Sequence, residues 1–288
     1  MIRFVRPAVF TLAPLALTAA LLGCAATPPA PKAAPTGEIK GTAWAHTPQS
    51  LAASVQNANV VLPAQATGGA AYSGKWSTMP ASAKGKVPVV LFLHGSSGLG
   101  LKAIGEWQQW LAAQGIASVA PDSFALPDHV TYKSPIDKAS YERIHALRAS
   151  EIAPALAAVQ TAPWADTSKL VLAGTSEGAV PVARYAGREF AARMLFAWSC
   201  EPNYFVTEPR NAFAADKPVL NVISVVDPFF SRSNAWLGNP DAQGHCGAAL
   251  KDNPKAAVVL LPNAPHTLLN WPGARAATAG FLAQALNR

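Results

Sequence analysis

The chain has 288 residues, half of them hydrophobic and only 14% charged, enough apolar material for one large buried core and too little charge for a disordered chain. Its net charge of +7 is a mild excess. The basic residues are scattered and not interleaved with aromatics, which argues against a nucleic-acid groove.

Residues 1–23 contain no acid and place Arg3 and Arg6 ahead of an apolar run, Leu12 to Leu22. This is the pattern of a signal peptide, too short for a membrane span. The run ends in Leu21-Leu22-Gly23-Cys24, and a small residue before cysteine resembles the lipobox of bacterial lipoproteins. Cys24 would then carry lipid and become the first mature residue, anchoring an exported protein to a membrane of the bacterial periplasm or, with Ala25 next, the outer membrane. An ordinary secretory signal that ends beside a cysteine is the alternative. Removing residues 1–23 takes away two arginines and leaves a net charge of +5.

Residues 24–37 are rich in alanine and proline. They read as an extended tether that can hold a domain up to about 40 Å from an anchor. A single domain is expected over 38–288. From Glu38 to Lys86 the pattern is weak and predicts edge strands, such as Asn59 to Leu62.

Beyond Val87, apolar runs alternate with segments of helical period, the pattern of a mostly parallel sheet with helices on both faces. The strands are predicted at Val87–Leu93, Ile116–Ala120, Lys169–Ala173, Met194–Trp198, Val219–Val226 and Ala256–Leu261. Helices are predicted over Ala103–Gln114, Tyr141–Gln160, Ala179–Gly187 and Ala274–Asn287.

Gly174-Thr175-Ser176-Glu177-Gly178 falls between a predicted strand and a helix. That is the context in which G-x-S-x-G forms a nucleophile elbow, and it marks the α/β-hydrolase fold. The elbow predicts three partners. Half of an oxyanion hole should come from the Glu177 amide and half from a loop after an earlier strand, where His94-Gly95-Ser96-Ser97-Gly98 offers Ser96. His94 itself reads as structural. An acid should follow a later strand, and Asp227-Pro228 does so, with an Asp-Pro turn as the alternative. A histidine should follow the last strand, which favours His266 over His245. The expected chemistry is acyl transfer to water, with Ser176 as nucleophile, His266 as base and Asp227 orienting it. No metal or other cofactor is expected: His245-Cys246 lacks zinc-site spacing, and no G-x-G-x-x-G opens a helix.

On His94-Gly95-Ser96-Ser97-Gly98, Pro121-Asp122-Ser123-Phe124, Gly174 to Gly178, Asp227 and His266, the chain resembles the dienelactone hydrolase-like branch of the α/β-hydrolases. Dienelactone hydrolases carry cysteine in the elbow and an acid after the loop histidine. Ser176 and Gly95 depart from that pattern and favour a general ester hydrolase acting on a small-molecule ester. A peptidase or amidase on the same fold and a non-catalytic surface lipoprotein remain alternatives. Arg143 and Arg148 read as helix-surface residues, and Trp198, Phe229 and Phe230 as candidate pocket residues. Cys200 and Cys246 form an even pair in an oxidising compartment, which predicts a disulfide at the catalytic edge; two unpaired buried thiols are the alternative.

Overall fold

The computed structural model describes residues 36–287. The expected signal peptide, Cys24 and nearly all of the tether lie outside them. In chain order the elements are β1 (Glu38–Lys40), α1 (Pro48–Gln56), β2 (Asn59–Leu62), α2 (Ala64–Thr67), β3 (Tyr72–Lys75), β4 (Val87–Leu93), α3 (Lys102–Ala113), β5 (Ala117–Ala120) and β6 (Thr131–Lys133). There follow α4 (Lys138–Ser150), α5 (Ile152–Thr161), β7 (Ala165–Thr175), α6 (Ala179–Arg184), β8 (Ala192–Phe196), β9 (Val219–Ser224), α7 (Gly247–Leu250), β10 (Ala256–Leu261) and α8 (Pro272–Ala285).

Eight strands form one sheet in the order β10-β9-β8-β7-β4-β5-β2-β3. The six from β4 onward are parallel, and β2 runs antiparallel to both β5 and β3. The weakly patterned segment before Val87 thus supplies the edge strand β3, whereas Asn59–Leu62, expected at an edge, is paired on both sides. It also contains α1, whose start is fixed by a reciprocal cap between Thr47 and Ser50, and β1, which pairs with β6 in a separate ribbon.

The central strands read as unbroken apolar runs because both faces are covered. In β4, Val87, Val89, Leu91 and Leu93 belong to one core layer and Val90 and Phe92 to the other, following the two-residue alternation of a strand. The first layer takes its helical partners from α1, α4, α5 and α6. The second is closed by α3 and α8, through Ile104, Trp107 and Leu111, and Ala274, Phe281 and Leu282. This is the α/β-hydrolase arrangement.

Several sequence-based boundaries change: the strand expected at Lys169–Ala173 runs Ala165–Thr175, that at Met194–Trp198 runs Ala192–Phe196, and the helix expected to reach Gly187 stops at Arg184. The long helix expected over Tyr141–Gln160 is two helices that meet at Glu151. Pro154 explains the break, since it has no N–H to give Ser150 and its ring crowds that carbonyl. The strand expected to reach Val226 ends at Ser224, and Val225 and Val226 are exposed.

Candidate active site

The β7 strand delivers Ser176 at its C-terminal end, followed by a single 3-10 turn, Ser176–Gly178, and then α6. Ser176 has a φ of 53°, a left-handed conformation that costs energy for any residue with a side chain. The flanking glycines make this turn possible. A Cβ on Gly174 would strike the Gly178 carbonyl, and one on Gly178 would strike the Leu93 and His94 carbonyls. The elbow therefore packs backbone to backbone against the end of β4.

Asp227 sits just past β9 and is fully buried. Its Oδ1 accepts the N–H groups of Phe229 at 2.9 Å and Phe230 at 3.0 Å, so the acid is fixed by its own turn. The Asp-Pro turn and the aimed carboxylate are one feature. Oδ2 lies 2.7 Å from Nδ1 of His266. A carboxylate has no proton to give, so Nδ1 donates, and Nε2 is left as an acceptor 3.0 Å from Ser176 Oγ. His266 stands in the loop after β10. The parallel strands β7, β9 and β10, with β8 between the first two, thus bring the three side chains to one edge of the sheet, although 90 residues separate serine from histidine. His245 turns back onto the N–H of Gly247, and Asp216 pairs with Arg188 at the surface.

The Ser–His pair opens onto a cleft of about 370 Å³ that includes Ser96, Ser97, Tyr132, Tyr204 and Phe229. Gly95 passes directly over the nucleophile, because a Cβ there would come within 3.3 Å of the Ser176 Cβ. Ser96 lines the cleft from the loop after β4, and Glu177 follows the serine within the elbow turn. Of the three aromatic residues named from sequence, Phe229 lines the cleft with its ring 4.7 Å from that of His266. Trp198 and Phe230 are buried behind it, edge-on to one another at 5.0 Å. Tyr132 and Tyr204, which carry no sequence signal, complete the aromatic wall.

His94 is structural. It is fully buried, its Nε2 accepts the Ser123 N–H at 3.3 Å, and Nδ1 lies 2.7 Å from the Gly95 carbonyl. Burial, with the nearby Arg148 charge adding to it, lowers its pKa to about 3.

Arg148 corrects the sequence reading. Arg143 is exposed and lies over the Trp44 ring, but Arg148 has no solvent exposure. Its Nε donates to both Glu151 oxygens, at 3.1 and 3.2 Å, and its Nη1 to Glu177 Oε1 at 2.6 Å. Burial opposes the charge on Glu151, but Arg148 overrides it and holds that carboxyl at about 2. The sequence did hold a clue. Tyr141, Ile144 and Arg148 share one helix face, and Glu151 follows three residues on, so a charged pair falls on the apolar stripe.

At the rim, Cys200 and Cys246 form a disulfide. The Glu201 carboxylate accepts the N–H groups of Gln243 at 2.7 Å and Gly244 at 2.9 Å, and Asn221 Oδ1 accepts that of Cys246 at 3.0 Å. The segments after β8 and β9 are therefore tied together beside the acid turn.

No curated protein matches the chain. Among solved structures it is similar in fold to a putative dienelactone hydrolase from Klebsiella pneumoniae subsp. pneumoniae MGH 78578. That likeness has a TM-score of 0.51 and 18% identity, over 73% of this chain and 90% of that one. Similarity extends to a dienelactone hydrolase from Anabaena variabilis ATCC 29413, with TM-score 0.47, 18% identity and 80% and 88% coverage. It extends also to Est1E from Butyrivibrio proteoclasticus, with TM-score 0.47, 16% identity and 73% and 93% coverage. The model of the dienelactone hydrolase family matches residues 76–281. That match covers more than half of the chain, which therefore belongs to the dienelactone hydrolase family.

Proposed function

We propose that the protein is a serine-dependent carboxylic ester hydrolase that works through an acyl-enzyme. The observation that carries the reading is the continuous chain Asp227–His266–Ser176, with contacts of 2.7 and 3.0 Å, opening onto a cleft. His266 Nε2 takes the Ser176 proton as Oγ attacks the ester carbonyl, and Asp227 stabilises the imidazolium that results. The backbone amides of Ser96 and Glu177 receive the negative oxygen. His266 then returns the proton to the leaving alcohol, and water repeats the sequence to release the acid and regenerate Ser176. The aromatic and aliphatic wall of the cleft suits the acyl part of a small ester, and among the described residues Lys133, at the rim, is the one Lys, Arg, Asp or Glu that lines it.

Ser176→Ala should abolish hydrolysis of p-nitrophenyl acetate, a loss on the order of 10⁶ in rate, and prevent fluorophosphonate labelling while leaving the melting temperature within a few degrees. Activity within about tenfold of wild type would sink the assignment, since the residual catalysis of such a site without its nucleophile is far smaller.

The exported location forms part of the same proposal: Cys24 carries lipid, and the domain is held at a bacterial membrane by the tether that follows. Mass spectrometry of membrane-extracted protein should find acyl chains on an N-terminal Cys24. An unacylated N-terminus elsewhere would reject the anchor without touching the chemistry.

A further inference from the structure

Two chain segments from distant parts of the sequence must stay in register for the reaction proposed above. One is the loop after β4, which carries Gly95 and Ser96; the other is the elbow, which carries Ser176 and Glu177. A single buried side chain touches both. Arg148 Nη1 donates to the His94 carbonyl at 2.9 Å and to Glu177 Oε1 at 2.6 Å. The second Glu177 oxygen is held by the Tyr132 hydroxyl at 2.8 Å. Arg148 is in turn fixed by Glu151, whose Oε1 also accepts from Ser123 Oγ at 2.5 Å and contacts His46 Nε2 at 3.2 Å.

We propose that Arg148 is a positioning residue that sets the separation of the two oxyanion-binding amides by clamping the His94 carbonyl to the Glu177 side chain. The inference rests on the ester hydrolase reading. A planar guanidinium suits the task because its donors point in fixed, different directions, so it can brace two loops while Nε stays on Glu151. An ammonium is a compact point charge and holds no such fork.

The test compares wild type, Arg148→Lys and Glu177→Met. Arg148→Lys keeps the buried positive charge that Glu151 and Glu177 need. Glu177→Met keeps the backbone amide and leaves Arg148 balanced by Glu151, so it does not strand a buried charge. Three quantities are read on protein whose melting curve and circular dichroism show it folded. They are kcat and KM for p-nitrophenyl acetate, and the affinity of a trifluoromethyl ketone, which places a negative oxygen where the reaction does.

Loosening an oxyanion donor without deleting it should cost about tenfold to a hundredfold in kcat, less than outright removal. KM should stay within about twofold, and ketone affinity should fall in step with kcat/KM. A merely structural role would lower the melting temperature and leave that split unmoved. If either folded variant keeps kcat and ketone affinity within about twofold of wild type, the clamp is overturned while the hydrolase stands. A wild-type protein that neither turns over ester nor takes up fluorophosphonate would sink both.

Discussion

Replacing both Cys200 and Cys246 by alanine should lower stability far more than activity. The bridge joins positions 46 apart in sequence, and closing a loop of that length removes unfolded-chain entropy equivalent to about 4 kcal/mol at 25 °C. In a domain of this size about 1 kcal/mol moves the melting temperature by about 2–4 °C, so a fall on the order of 10 °C is expected. That term acts on the unfolded chain, and native contacts at the rim do not offset it. Activity depends instead on where Asp227 points in the folded state, and that is secured without the sulfurs. Oδ1 is held by Phe229 and Phe230, the Asp227 carbonyl accepts from Ser231, and Glu201 ties the two rim segments together. Differential scanning calorimetry and ester kinetics at 25 °C on the double variant, beside reduced and oxidised wild type, give both numbers. A melting shift under about 3 °C together with a kcat loss above tenfold would refute the reasoning, because the bridge would then act on site geometry and not on the unfolded chain.

Asp227→Asn should retain the turn through its Oδ1 acceptor yet favour the wrong His266 tautomer, lowering kcat by about 10⁴ with little change in melting temperature; a loss below tenfold in the ester assay would exclude Asp227 as the orienting acid. Gly178→Ala drives a methyl group into the Leu93 and His94 carbonyls. It should cost about 1–3 kcal/mol in urea denaturation and at least tenfold in kcat, since overpacking here displaces the elbow itself; a near-wild-type variant would contradict the close approach of elbow and β4. Acid should weaken the fold beginning near pH 6.5. His94 is held neutral down to about 3 by burial and then by Arg148, and His145 is depressed by burial and then by Arg184. The unfolded chain takes up protons that the folded one refuses, so this stability is complete above pH 6.5 and is lost as pH falls, at up to about 1.4 kcal/mol per pH unit for each histidine. Glu151, depressed to about 2, adds a further loss below about pH 4.5. Urea denaturation should register about 2 kcal/mol from His94 alone between pH 7 and 5, and a flat profile over that interval would reject the buried neutral state.

The parts of this site legible in sequence are those that local rules constrain. Gly174 and Gly178 are needed because the backbone approaches too closely for a Cβ. The parallel sheet shows itself because strands covered on both faces must be apolar throughout, as Val87–Leu93 and Leu170–Ala173 are. The order Ser176, Asp227, His266 follows because each side chain leaves the same edge of one sheet. Tyr132 and Tyr204 escape detection for the opposite reason. They reach the cleft from a three-residue ribbon strand and from the disulfide-tied rim, and no periodicity marks a residue whose position is set by tertiary contacts alone.

Arg148 lies between these cases, and its misreading has a definite cause. A charge on a helix is ordinarily solvated because burying it unpaired is prohibitive, and that rule weighs each residue singly. Here the helix face carries Arg148 and the chain supplies Glu151 one turn later, where Pro154 ends the continuity of the helix. Burial becomes tolerable only once Glu177, 29 positions away, closes the other side of the guanidinium. A buried pair of this kind is weak grounds for stability, since apolar replacements often do as well. The proposed role lies instead in where it holds the His94 carbonyl and Glu177, which is why the oxyanion-analogue affinity of folded Arg148→Lys discriminates more sharply than its melting temperature.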